Sequence, residues 1–129
     1  MPTEISVWLD GFSLDRVLRP YIAEVMSALP DAVRGDLMND PAFRLVDYEA
    51  GGQFFLVPVG IPSARGAARS VVLKRSLGRR PSAFIRYIIA HELAHAHLRN
   101  AGRTVGEDPE LAADALAEYW GFPRPRTAP

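Results

Sequence analysis

Cysteine is missing from this chain of 129 residues, and histidine is scarce, with three copies. The lack of cysteine excludes disulfide bonds and zinc sites built on thiolates. No run approaches the roughly 20 consecutive apolar residues that a membrane-spanning helix needs. The opening residues, MPTEISVWLDGF, also lack the basic segment and the long apolar stretch of a signal peptide. We therefore expect a cytoplasmic protein that has no membrane partner.

A net charge of either sign is missing as well, since Lys plus Arg and Asp plus Glu both number 15. No strong overall field favours nucleic acid or an anionic membrane, and we expect neither as a partner. Hydrophobic residues make up 48% of the chain, enough to bury a core without covalent staples. We expect one domain over residues 1–122, followed by a Pro-rich tail at 123–129.

Hydrophobic spacing and turn residues predict an N-terminal helix. Residues 4–10 alternate briefly and predict a short strand or an extended arm. A helical pattern follows, with Ser13 as its candidate N-cap and Pro20 as either a kink or the first helical residue. Residues 30–41 contain Pro and Gly and predict a loop with at most one short helical turn.

The middle of the chain predicts strands, and the second half predicts two helices. Residues 42–48 and 53–59 flank the turn EAGG and predict a β-hairpin, with residues 70–76 as a third strand. We therefore expect a three-stranded, mainly antiparallel sheet in an α+β fold. A helix is expected over residues 81–99, and a second one begins at Asp108 and Pro109.

All three histidines fall in IAHELAHAH, residues 89–97, inside the first of these helices. His91 and His95 are four residues apart, so their rings lie on one helix face and can share a tetrahedral zinc ion. Glu92, beside the first ligand, can lean toward a water held at that metal. This is the His-Glu-x-x-His arrangement of zinc peptidases. The alternative is a pair of purely structural histidines.

A zinc peptidase site needs a third protein ligand and an open fourth position. His97 lies about 200° around the helix from His95 and cannot complete the site from there. The third ligand must then be a carboxylate. Glu110 is the favoured candidate, and Asp114, four residues later, can accept the free ring N–H of a zinc histidine.

Three alternatives to this choice of Glu110 stay open on the sequence alone. Glu107 and Glu118 are rival ligands from the same acidic segment. The segment can also be an ordinary solvated face with no metal at all. Glu107 precedes the expected N-cap, where the backbone is less fixed, and Glu118 lies two turns further along the helix.

Residues 70–98, SVVLKRSLGRRPSAFIRYIIAHELAHAHL, together with EDPELAADALAEYWGF at 107–122, resemble the catalytic core of gluzincin metallopeptidases. In that family a helix carrying an E-x-x-A-D-type glutamate follows His-Glu-x-x-His. In size and layout the chain is similar to the minigluzincins and to the ImmA/IrrE-type peptidases. The resemblance implies a small zincin-like domain with bound Zn²⁺, in which an active-site helix precedes a glutamate helix.

The resemblance also implies how a substrate binds. Gluzincins hold an extended peptide against an edge strand, which here would be the strand near Val71, Val72 and Leu73; such pairing adds affinity through the backbone. They commonly stabilise the oxyanion with a His or Tyr outside the metal ligands. His97 and Tyr119 are the nearest candidates in sequence.

The function expected from these residues is that of a zinc metalloendopeptidase, of limited or latent activity, acting on a peptide or protein substrate. Glu92 would act as general base on a zinc-activated water. One alternative is a regulatory module of the ImmA/IrrE kind that recognises or cleaves one partner protein, such as a repressor. Another is a non-catalytic zinc-bound module that binds protein, although a purely structural zinc site does not need Glu92.

Overall fold

The computed structural model describes residues 4–48, 70–101 and 109–125. Its α-helices are α1 (Glu4–Leu9), α2 (Leu18–Ala28), α3 (Asp31–Met38), α4 (Ser82–Ala101) and α5 (Pro109–Tyr119). Its strands are β1 (Arg44–Tyr48) and β2 (Ser70–Lys74), and a short 3-10 helix, Arg75–Arg79, follows β2. The class is α+β, as the sequence predicted.

The sheet differs from the sequence prediction in strand number and direction. Within the described residues it has two strands, and β1 and β2 run parallel, from Arg44 opposite Ser70 to Tyr48 opposite Lys74. The expectation of a three-stranded, mainly antiparallel sheet is therefore wrong. Alternation along a strand predicts which side chains face the core, but it does not select the partner strand, because that choice depends on distant residues. The second hairpin strand, expected at 53–59, lies outside the described residues.

The N-terminal residues also differ from expectation, because the segment 4–10 contains helix α1, Glu4–Leu9, and not a strand or an extended arm. Leu9 is fully buried, and Ile5 and Trp8 pack against the same core. Spacings of three and four residues bring these three side chains to one side of a helix. The short alternation in the sequence matched this helical spacing equally well.

Helix α2 begins at Leu18, later than the candidate N-cap Ser13. Pro20 is its third residue. The first backbone N–H groups of a helix have no intrahelical acceptor, so a proline in the first turn removes no helical hydrogen bond. The helix therefore needs no kink at Pro20.

Helix α3 occupies part of the segment expected to be a loop. Val33 and Leu37, one turn apart, are both buried and fix its inner face. Gly35 is tolerated inside the helix at a cost of about 1 kcal/mol relative to alanine, which the burial of the two apolar side chains offsets.

Helix α4 is the central element and corresponds to the helix expected at 81–99. It contacts α2, α3, α5 and β2. Its buried side chains include Ile85, Ile89 and Leu93, so the helix is anchored over several turns. Neither α4 nor any other helix in the described part of the chain has both the length and the apolar content to cross a lipid bilayer.

Candidate metal centre

Helix α4 presents Tyr87, His91 and His95 at four-residue intervals toward α5. This spacing stacks their side chains along one helix face. The rings of His91 and His95 are 4.7 Å apart between centroids and nearly perpendicular, at 85°. The side chain of His91 is 8% exposed and that of His95 is 18% exposed. Packing of α4 against α5 therefore fixes both imidazoles before any ligand binds.

Helix α5 supplies the carboxylate that completes the group. One oxygen of Glu110, Oε1, lies 2.9 Å from His91 Nε2, and the other, Oε2, lies 3.2 Å from His95 Nε2. Hydrogen bonds from His91 and His95, in that order, hold the pKa of Glu110 below its ordinary value. Its side chain is 71% exposed, so the group is open to solvent on the Glu110 side. We call His91, His95 and Glu110 the His–Glu group.

The His–Glu group fits a zinc ion. Its three ligand atoms all lie within 4.8 Å of one another. In tetrahedral zinc sites with bonds of about 2.0–2.1 Å, neighbouring ligand atoms lie about 3.4 Å apart. Two imidazole nitrogens and one carboxylate form a ligand set of catalytic zinc sites, which leave the fourth position to water or substrate. Small rotations of these side chains would satisfy the metal.

Asp114 orients the first imidazole. His91 Nδ1 donates to Asp114 Oδ1 over 2.7 Å, while His91 Nε2 points to Glu110. A metal would replace the Nε2 proton that Glu110 accepts in its absence, while the Nδ1 proton stays with Asp114, so this contact orients the ring as a metal ligand requires. Asp114, which the sequence predicted as the acceptor for the free ring N–H of a zinc histidine, therefore contacts His91.

Tyr87 and Arg124 surround the same aspartate. Tyr87 donates its hydroxyl to Asp114 Oδ1 over 2.6 Å, and the Arg124 guanidinium lies 3.6 Å from Asp114 Oδ2 and 5.3 Å from the centroid of the Tyr87 ring. Burial, together with the nearby Asp114 carboxylate, raises the pKa of Tyr87 to about 12. Burial acts to raise the pKa of Asp114, but hydrogen bonds from Tyr87 and His91 leave that pKa below its ordinary value.

Glu92 lies outside the His–Glu group, on the neighbouring face of α4. One residue along a helix corresponds to a rotation of about 100°. Glu92 is half-buried and lines a cavity of about 710 Å³ between α4, β2 and the 3-10 helix. The Glu92 carboxylate therefore borders a cavity that can hold a substrate, and Glu92 is adjacent to His91 in the sequence.

The expected edge strand borders this cavity in part. Val72 is half-buried and lines the cavity, and Leu73 also contacts it. The side chains of Val71 and Leu73 belong to the hydrophobic core, with 1% and 2% of their surface exposed. Backbone pairing of a peptide with β2 stays a prediction.

The two oxyanion candidates lie away from the His–Glu group. His97 Nδ1 donates to Asp36 Oδ2 of α3 over 2.8 Å, on another side of α4. Tyr119 is 81% exposed, more than two turns beyond Glu110. Of the rival ligands, Glu118 is exposed near the end of α5, and Glu107 lies outside the described residues.

Sequence reasoning did not identify Tyr87 or Arg124. Tyr87 carried a usable signal, because it lies four residues before His91 and continues the stripe of His91 and His95. Arg124 carried none, since its contacts depend on how the chain turns after α5.

Comparison of the chain with protein-family models, with curated proteins and with solved structures finds no match. Support for a function therefore comes from the residues of the site and from their geometry.

Proposed function

We propose that this chain is a zinc-dependent metallopeptidase of the gluzincin type, similar to the minigluzincins and to the ImmA/IrrE-type peptidases. Its ligands would be His91, His95 and Glu110, and its substrate a peptide or protein. The proposal keeps the cytoplasmic location expected from the sequence.

The observation that carries the proposal is the convergence of the His–Glu group within 4.8 Å. The contact between His91 Nδ1 and Asp114 adds weight, because metal-binding histidines almost always donate their other ring N–H to a carboxylate, a carbonyl or water. A solvated acidic face would not need a buried histidine between two carboxylates. This arrangement supports metal binding better than a structural role.

Glu92 supports catalysis in addition to binding. Bound zinc would activate a water molecule and polarise the scissile carbonyl. Glu92 would accept a proton from that water and later deliver it to the leaving amine, acting as general base and then as general acid. Its position on the cavity wall fits this role, because the substrate and the base would share one space.

The alternative is a zinc-bound module that recognises a partner protein without cleaving it, or a regulatory protein of the ImmA/IrrE kind. A peptidase and a non-catalytic binding module differ in what they require of Glu92. A binding module can use the same cavity, but it needs no proton acceptor there.

The experiment compares the wild-type chain with Glu92→Gln on casein, with zinc present. Glutamine keeps the size of the side chain and removes the base, so zinc content should stay unchanged while cleavage falls by roughly 10²–10⁴-fold. Glu118→Gln, an exposed glutamate of α5, is the matched control and should cleave like the wild type.

A chelator should abolish wild-type cleavage, since a contaminating peptidase that needs no metal would be indifferent to it. Equal zinc binding with no cleavage by either protein, across many substrates, would favour the non-catalytic module. Equal cleavage by both would remove Glu92 from the mechanism.

A further inference from the structure

The cavity that contains Glu92 combines apolar walls with exposed cations. Its walls are largely apolar and include Val72, Leu77, Phe84 and Ile88. Its volume of about 710 Å³ exceeds that of one side chain and can hold several residues of a peptide. An occupant of this space would therefore bring a large apolar side chain to the neighbourhood of Glu92.

Three cations border the same cavity. Lys74, Arg79 and Arg80 are exposed and all border it. Within residues 4–48, 70–101 and 109–125, none of the three forms an ion pair. Glu92 is the only acidic residue among those described around the cavity. The cations therefore create a local positive field in a chain whose net charge is zero.

One of these cations lies beside the apolar wall of the cavity, away from Glu92. Phe84 precedes Glu92 by eight residues, so the two lie roughly 12 Å apart along the α4 axis. Arg80 belongs to the Phe84 end, because its guanidinium lies 4.5 Å from the centroid of the Phe84 ring. An apolar side chain on the Phe84 wall would therefore lie beside the Arg80 guanidinium.

We propose that this site selects peptide segments in which a large apolar residue is accompanied by nearby acidic residues. The apolar side chain occupies the wall formed by Phe84, Ile88 and Val72, and the acidic residues meet Arg79, Arg80 and Lys74. The inference rests on the proposed peptidase function only for how the bound peptide lies relative to the scissile bond. The binding preference itself can be measured without cleavage.

The test measures the binding of labelled peptides to zinc-loaded Glu92→Gln by fluorescence anisotropy, so that no peptide is consumed. The probes share a Leu-Phe centre and carry glutamate, glutamine or lysine at both ends. Exposed ion pairs are each worth up to about fivefold in affinity, so the glutamate peptide should bind about tenfold more tightly than the glutamine peptide. The lysine peptide should bind most weakly, and added salt should reduce these differences.

The matched variants reverse the same number of charges at two places. Adding Arg79→Glu and Arg80→Glu should bring the ratio of glutamate to glutamine affinity to about one or below. Adding Arg16→Glu and Arg44→Glu, at exposed arginines outside the cavity lining, should leave the ratio unchanged. Far-ultraviolet circular dichroism checks that every variant is folded.

Equal affinities for the three peptides, or a preference that survives the Arg79 and Arg80 changes, would overturn the inference. So would tighter binding of a single-stranded oligonucleotide that displaces the glutamate peptide, because the cations would then serve phosphates. Casein cleavage by the wild type without any peptide preference would reject this inference alone. Charge-dependent peptide binding without cleavage would support it and would reject the peptidase function.

Discussion

Two histidines of α4 make nearly the same hydrogen bond on different sides of the helix. His91 Nδ1 donates to Asp114 on α5 over 2.7 Å, and His97 Nδ1 donates to Asp36 on α3 over 2.8 Å. The aspartates are similarly exposed, at 29% and 22% of their side-chain surface. The difference lies at the other ring nitrogen. His91 Nε2 faces Glu110 beside a second imidazole, whereas His97 belongs to no group of three potential ligands among the described residues.

A histidine–aspartate pair alone therefore does not define a metal site in this protein. Such a pair fixes a tautomer and joins two helices in either setting. The His91 side differs because α5 packs there and places a second carboxylate, that of Glu110, against the His91 ring. The His97 pair serves as an internal control, because it has the same chemistry without converging ligands.

The largest difference between the two sides should appear on removal of each imidazole. His91→Ala should abolish stoichiometric zinc binding, because it deletes one of three protein ligands. His97→Ala should retain about one zinc per chain. Metal analysis after dialysis measures both, with circular dichroism as a check of folding. Full zinc in His91→Ala, or loss of zinc in His97→Ala, would reverse the comparison.

Removal of the carboxylate ligand, Glu110, should reduce zinc binding by a similar amount. Glu110→Ala should lose zinc affinity by more than the roughly 10–100-fold that is typical when a supporting partner of a ligand is removed. Glu118→Ala and Glu107→Ala should bind zinc like the wild type, and competition with a chromogenic chelator gives the constants. The largest loss at Glu107, or equal losses in all three, would move the ligand away from Glu110.

The two aspartates should separate affinity from stability. Asp114→Ala should weaken zinc binding roughly 10–100-fold, because His91 loses the acceptor of its Nδ1 proton. Asp36→Ala should leave zinc affinity unchanged and lower the free energy of unfolding by about 1 kcal/mol, through the lost contact between α3 and α4. Chelator competition and urea unfolding measure the two quantities. Weakened zinc binding in Asp36→Ala would contradict the separation.

The smallest effect concerns Tyr87, whose phenol supports Asp114. Its pKa is raised to about 12, so its contribution to stability is full below the ordinary tyrosine pKa of about 10 and is lost as pH rises through 12. Ultraviolet titration of the folded protein should show one tyrosine with a midpoint near 12. Tyr87→Phe should remove that transition and change zinc affinity by less than about tenfold. A transition that persists in Tyr87→Phe would assign it to another tyrosine.

The sequence predicted the parts of the site that depend on local geometry. His91 and His95 needed only a helix with four-residue spacing, and the apolar pattern of α4 supplied it. Glu110 and Asp114 followed in the same way from one face of a capped helix. Their meeting with the histidines required α4 and α5 to pack together, which we expected because no histidine remained for the third ligand position and because the family resemblance implied it.

The remaining features depend on contacts between distant residues. The parallel pairing of β1 and β2 joins residues that are distant in the sequence, so no local pattern determines it. Helix α3 was missed because Gly35 and the flanking prolines outweighed the spacing of Val33 and Leu37. The contact of Arg124 with Asp114 has no signal in the sequence, since it arises where the chain passes the end of α5.

The metal centre is tested most directly by zinc-edge X-ray absorption on the wild-type chain loaded with one equivalent of zinc. Coordination by His91, His95, Glu110 and one water molecule predicts four nitrogen and oxygen ligands at about 2.0–2.1 Å, with scattering from two imidazoles. Because the chain has three histidines, the number of imidazoles also tests the comparison between His91 and His97. A shell with three imidazoles, or a six-coordinate shell of oxygen with none, would contradict the assignment of His91, His95 and Glu110.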